Sequence, residues 1–254
     1  MLFDLTHILY IVISALITIG LLFLCGFFVK EEKHKNIILK TAAVLTVIIH
    51  FSSLYVDYFK TGSANIEAPM LLPIYPCNVA MWLLVIVAFW KNKNSKIFSY
   101  VAEFTFYLGV VGGIVGILFN EIYSSTPNLL VWHTLKGLLS HSVMLFGCVY
   151  LLVGKFIKIR VKNTLSVFMG LVLLLVDGGI IIALYKLANL EPPNCMYLLE
   201  NPFPKLSWFN TYLIGVIGLV VVFGITSVVE LFALPSNERW YAKLKQLKNN
   251  KENK

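Results

Sequence analysis

Apolar runs of about twenty residues recur along this chain, and a run of that length is what a helix needs to cross a hydrocarbon core roughly 30 Å thick. Seven such stretches fall near residues 7–29, 37–59, 68–90, 97–119, 132–154, 163–186 and 207–232. Their length selects helices over barrel strands, which need only about 10 alternating residues. The composition excludes a soluble globule: 58% of residues are hydrophobic and 13% charged, where soluble domains carry about a quarter charged residues. The reading is an all-α polytopic membrane helical bundle with seven transmembrane helices. One domain covers residues 1–236, and a basic tail covers 237–254. The first run lacks a basic leader and a small-residue cleavage site, so it is expected to be retained as a helix.

Charge placement orients the bundle. Seventeen of the 21 Lys and Arg residues lie at alternate ends of the spans: Lys30 to Lys40, Lys91 to Lys96, Lys155 to Lys162, and the tail from Arg239 to Lys254. The opposite connections hold Lys60 and Lys205, with Lys186 at a span edge. The positive-inside rule then sets the C-terminus in the cytoplasm and the N-terminus outside. The formal charge of +8 follows from this orientation signal and calls for no nucleic-acid partner. The basic loops and tail are expected to lie near anionic headgroups.

Ionisable groups inside spans are costly and mark functional candidates. The second span holds His50 and Asp57, the third Cys77 and Asn78, the fourth Glu103, the fifth His133, Lys136 and His141, the sixth Asp177. Counting from the outer edge of each span, His50, Cys77 and His141 all fall about nine residues, or roughly 13 Å, deep. Glu103 lies near the cytoplasmic edge and Asp177 nearer the outer one. Lys136, about four residues into its span, is expected to reach back to the interface. Pro73 and Pro76 precede Cys77 and should kink or break their helix, which a membrane tolerates where the freed backbone groups face protein or water. Gly109, Gly112, Gly113 and Gly116 form a stripe on the fourth span that lets a neighbour pack closely.

The four cysteines, Cys25, Cys77, Cys148 and Cys195, include no CxxC pair, so neither a metal site nor a cofactor is implied. Cys25 and Cys148 read as small core residues. Cys195 sits in a proline-rich outer loop and offers one competing role for Cys77, a disulfide on the oxidising side.

The segments LPIYPCNVA (72–80), FTFYLGVVGGIVG (104–116), VWHTLKGLLSHSVML (131–145) and PPNCMYLLENPFP (192–204) resemble, in order, the YwaF-type bacterial membrane proteins and the related transmembrane protein 164 family. The resemblance implies a seven-helix membrane protein and a phospholipid acyltransferase, with a membrane cysteine as nucleophile and a histidine as its partner. By motif position these are Cys77 and His141. Asn194 and Tyr197 match polar positions of the family's outer loop. The chain departs from the pattern at Tyr75, where His or Gln is common, at Pro76, at FNEIY (119–123), and at Cys195, which is usually aromatic.

The chemistry implied is acyl transfer through a thioester. A buried thiol needs a neighbouring base, and His141 would serve Cys77. His50, Asn78, His133, Asn194 and Tyr197 are the candidate substrate-binding groups, and the partner is a membrane phospholipid or lysophospholipid. Water in place of the acceptor would make the protein a lipase. A small-solute transporter or sensor using His50, Glu103, His141 and Asp177 as a polar path is the alternative, as is a scaffold in which these groups only pack. A retinal protein is excluded, because the last span carries no lysine for a Schiff base.

Overall fold

The structure is a computed structural model that describes residues 2–63, 71–201, 210–233, 235–236 and 239–242. Outside the described residues lie the start of the third and seventh predicted spans, Pro202, Pro204, Lys205, and the tail from Lys243 onward. The helices are α1 (Leu5–Phe28), α2 (Glu32–Thr61), α3 (Pro76–Phe89), α4 (Lys96–Leu118), α5 (Glu121–Ser125), α6 (Trp132–Val153), α7 (Thr164–Leu187) and α8 (Thr211–Ala233). Single 3-10 turns occur at Val161–Asn163 and Cys195–Tyr197. No strand occurs among the described residues, and six helical segments are long and apolar enough to cross a membrane.

The third predicted span, residues 68–90, differs from expectation. Among the described residues its continuous helix runs from Pro76 to Phe89, 14 residues, or about 21 Å at 1.5 Å per residue. The prolines explain this. Pro76 takes the first helical position, where its missing N–H leaves nothing unpaired, and it forces Tyr75 into extended backbone at φ −112° and ψ 154°. Leu72 to Tyr75 are therefore irregular, and they separate Pro76 from the helical Leu71.

Side chains fix other helix ends. Asp4 Oδ1 accepts the His7 N–H at 2.9 Å to start α1, and Ser95 Oγ accepts the Phe98 N–H at 3.1 Å to start α4. Gly62 closes α2 in the left-handed region at φ 72°, a conformation glycine adopts without steric cost.

The core sits where α2, α3, α4 and α6 meet, around Leu39, Ala43, Leu84, Ala102, Met144 and Leu151. Glycines set how closely these helices approach. A Cβ on Gly109 would overlap Cys148 Sγ, and one on Gly113 would stand 2.9 Å from Leu145 Cβ. Pairing Gly109 with Cys148 and Gly116 with His141 shows α6 antiparallel to α4. In contrast, α1 buries only His7 and turns Leu16, Ile17 and Phe23 outward, as a lipid-facing helix does.

The N-terminal end of α1 is tied to the bundle by a buried network. His7 donates from Nε2 to Ile117 O at 2.9 Å and accepts the Phe3 N–H on Nδ1 at 3.0 Å. Its ring stacks on Tyr123 with centroids 4.5 Å apart, and the Tyr123 hydroxyl donates to Asp4 at 2.6 Å. That hydroxyl, followed by the His7 N–H, holds the Asp4 carboxyl down to about 2. At the opposite end two buried carboxylates hold the connection into α7. Glu103 accepts from Ser99 Oγ at 3.1 Å and Asn163 Nδ2 at 2.6 Å. Glu230 accepts the Val161 N–H at 2.7 Å and the Trp240 N–H at 3.1 Å.

Lys93 caps the C-terminus of α3. Its ammonium donates to the carbonyls of Val87, Ala88 and Trp90 at 3.2, 2.9 and 3.4 Å and lies 5.6 Å from the ring centroids of both Phe98 and Phe156. Charged hydrogen bonds to carbonyls at a helix C-terminus contribute about 2 kcal/mol. Lys93→Met keeps the packing and removes the donors, so thermal unfolding in detergent should show a loss of that size. An unchanged midpoint would mean that solvent satisfies the three carbonyls.

Candidate functional site

The site is built on the α4 glycine stripe. A Cβ on Gly112 would sit 3.6 Å from Cys77 Cα and 3.7 Å from Cys77 Cβ, and one turn on, a Cβ on Gly116 would overlap the His141 imidazole. Two bare positions one turn apart on α4 thus receive the start of α3 and the middle of α6, bringing Cys77 and His141 to one face. Among the described residues no hydrogen bond joins the two side chains. All four cysteines are free thiols, so Cys77 and Cys195 are not bridged.

Cys77 is the second residue of α3, at the helix end where unpaired N–H groups and the macrodipole favour negative charge. Asn78 Oδ1 accepts the Tyr75 N–H at 3.3 Å, which stabilises the turn that presents the sulfur.

His141 has a fixed tautomer. Its Nδ1 lies 2.6 Å from Gly137 O, and a carbonyl can only accept, which assigns the proton to Nδ1 and leaves Nε2 with a free lone pair in the neutral ring. Asn120, at the end of α4, donates from Nδ2 to Gly116 O at 3.1 Å. The same amide nitrogen lies 3.2 Å from where a Gly137 Cβ would be. Asn120 therefore links the glycine under the imidazole to the glycine that orients it. Sequence reading missed this residue, whose one signal was its place as the polar residue ending a glycine-rich helix.

The loop that follows α7 covers the approach to Cys77. Met196 N–H donates to Ile74 O at 2.8 Å, the Tyr75 and Tyr197 rings lie 5.3 Å apart, and Cys195 is buried with Ile74, Ile181 and Ile182. Met196 and Tyr197 take left-handed backbone at φ 50° and 56°, which turns Tyr197 back over Tyr75. Burial raises the Tyr197 phenol above the usual tyrosine value, and the Glu121 carboxylate raises it further. Glu121 therefore lies within electrostatic reach of Tyr197.

The remaining expected site residues are distributed as follows. The Asn194 amide holds its own loop: Oδ1 accepts from Leu199 and Glu200 N–H at 3.0 and 3.1 Å, and Nδ2 donates to Glu200 O at 3.0 Å. His133 Nε2 bonds Asp57 Oδ1 at 2.9 Å, near the ends of α6 and α2. His50 stands edge-on to Phe51, centroids 5.1 Å apart. Seven residues inward from Asp57 and His133 along the two antiparallel helices lie His50 and Ser140, so His50 is level with the turn that carries His141. Lys136, expected to reach the interface, is only 8% exposed and lies on the packed face of α6 beside Gly137.

No curated protein and no solved structure matches the chain. The family model described as the TMEM164 family matches residues 2–227. That match covers each segment of the site and every membrane-length helix, α8 as far as residue 227, and the chain is a multi-pass membrane protein belonging to the TMEM164 family.

Proposed function

We propose that the protein is a phospholipid acyltransferase of the cell membrane, with seven membrane-embedded helices, α3 among them, its N-terminus outside and its C-terminus cytoplasmic. One observation carries the reading: Cys77 and His141 rest on successive turns of the same glycine stripe, with His141 Nε2 as the unprotonated nitrogen. His141 takes the Cys77 proton, and the sulfur attacks the ester carbonyl of a phospholipid. The C–S bond forms, the ester C–O bond breaks, and the lysophospholipid leaves with the proton from His141. A second lysophospholipid hydroxyl then gives its proton to Nε2 and attacks the thioester, releasing the thiol. The Cys77 N–H, in the first turn of α3, is the donor proposed for the oxyanion, a role worth about 3 kcal/mol.

The test is to trap the thioester. Full-length protein in vesicles containing phospholipid with a labelled acyl chain should acquire label that hydroxylamine releases. Cys77→Ala and His141→Asn should lower labelling about a thousandfold or more at normal membrane insertion. Full labelling of Cys77→Ala ends this reading and leaves transport as the class to examine.

A further inference from the structure

An apolar groove of about 670 Å³ runs between α3, α4 and α7, inside the roughly 300–1,000 Å³ typical of ligand sites. It starts at Lys162, in the basic connection before α7, and ends at Pro73 and Asp177. Lys162 and Asp177 are fifteen residues apart, about 22 Å at 1.5 Å per residue, which is longer than one hydrocarbon leaflet of about 15 Å.

The groove exists because position 170 is glycine: the Phe104 ring occupies the space its side chain would fill and so forms the floor. Leu83, Val101 and Leu173 form the walls. Leu173 is 63% exposed, so the opening faces sideways, toward lipid tails. At the deep end one Asp177 carboxyl oxygen is buried without a hydrogen-bond partner among the described residues; it stops the apolar run and gives the groove a defined length.

Charge selects the occupant. Lys162 is exposed, and Lys155, Lys158 and Arg160 of the same connection share its sign. The acid within its electrostatic reach, Glu103, is committed to Ser99 and Asn163. The geometry points to a binding site for one acyl chain of an anionic phospholipid, its phosphate on Lys162 and its chain laid over Phe104 toward Asp177. The headgroup end of the site lies at the basic connection, its far end at Pro73 and Asp177 lies on the Cys77 side of the bundle, and it stands whether or not Cys77 carries an acyl group.

Trp82 lines the groove and serves as the reporter. Full-length protein in phosphatidylcholine vesicles is titrated with phosphatidylglycerol brominated in its chains. Quenching should saturate at low mole fraction, and Trp82→Phe should remove the saturable component. Lys162→Gln, at an exposed position, should raise the half-saturating fraction about fivefold, the effect of one basic residue at a membrane surface. Quenching that rises linearly, or is the same with brominated phosphatidylcholine, overturns the site, as does a Lys162→Gln titration that matches wild type.

Discussion

A single methyl group on Gly116 is expected to abolish acyl transfer while leaving the protein folded. The new Cβ would overlap the His141 imidazole, so the ring must swing away from α4 and break its bond to Gly137 O. Nε2 would then leave the face it shares with Cys77. Misplacing a catalytic group by about 1 Å can cost 10²-fold in rate, and the lost tautomer control adds to that. Overpacking one methyl at a helix contact destabilises by about 1–3 kcal/mol. Gly112→Ala is the matched control. Its Cβ would meet Cys77 at ordinary contact distances of 3.6–3.7 Å, so labelling should stay within a few-fold of wild type. Comparing thioester formation and thermal midpoints for the two variants decides the matter. Equal labelling would mean that His141 does not act on Cys77.

Glu230→Leu should give the largest loss of stability outside the core. Glu230 is 3% exposed, and its carboxylate accepts backbone N–H groups from two separate segments, at Val161 and Trp240. Removing it strands both donors, each costing about 1–3 kcal/mol if no water replaces the lost oxygen. Glu230→Gln keeps one acceptor and should recover part of the loss. Denaturant unfolding in micelles, with proteolysis of the connection before α7 as a local probe, separates the two variants. Equal stability of Leu and wild type would show that water already serves both N–H groups.

The long helices were legible because hydropathy over about twenty residues does not depend on tertiary context. Their ends were less so: α2 begins at Glu32, five residues before the apolar run, since a polar helical turn leaves no mark on a hydropathy window. The prolines before Cys77 signalled a break, but only the structure shows that it runs from Leu72 to Tyr75, with Leu71 helical on its far side. Cys77 and His141 were visible as chemically costly residue types at a common depth. Asn120 and Gly137 were not, because they act through backbone groups on two different helices. His7 and Glu230 escaped notice for a related reason. Polar residues at span ends read as interfacial, and burial there depends on neighbours more than 60 residues away in sequence.

The brevity of α3 also shapes the membrane around it. Its 14 residues cover about 21 Å of a hydrocarbon core of about 30 Å, and the shortfall falls at the end that carries Cys77. With α3 membrane-embedded as proposed, local thinning of the bilayer is one way to relieve such a mismatch. Headgroups and ester linkages drawn inward beside α3 would then bring a lipid carbonyl to the level of the thiol without the lipid leaving its leaflet.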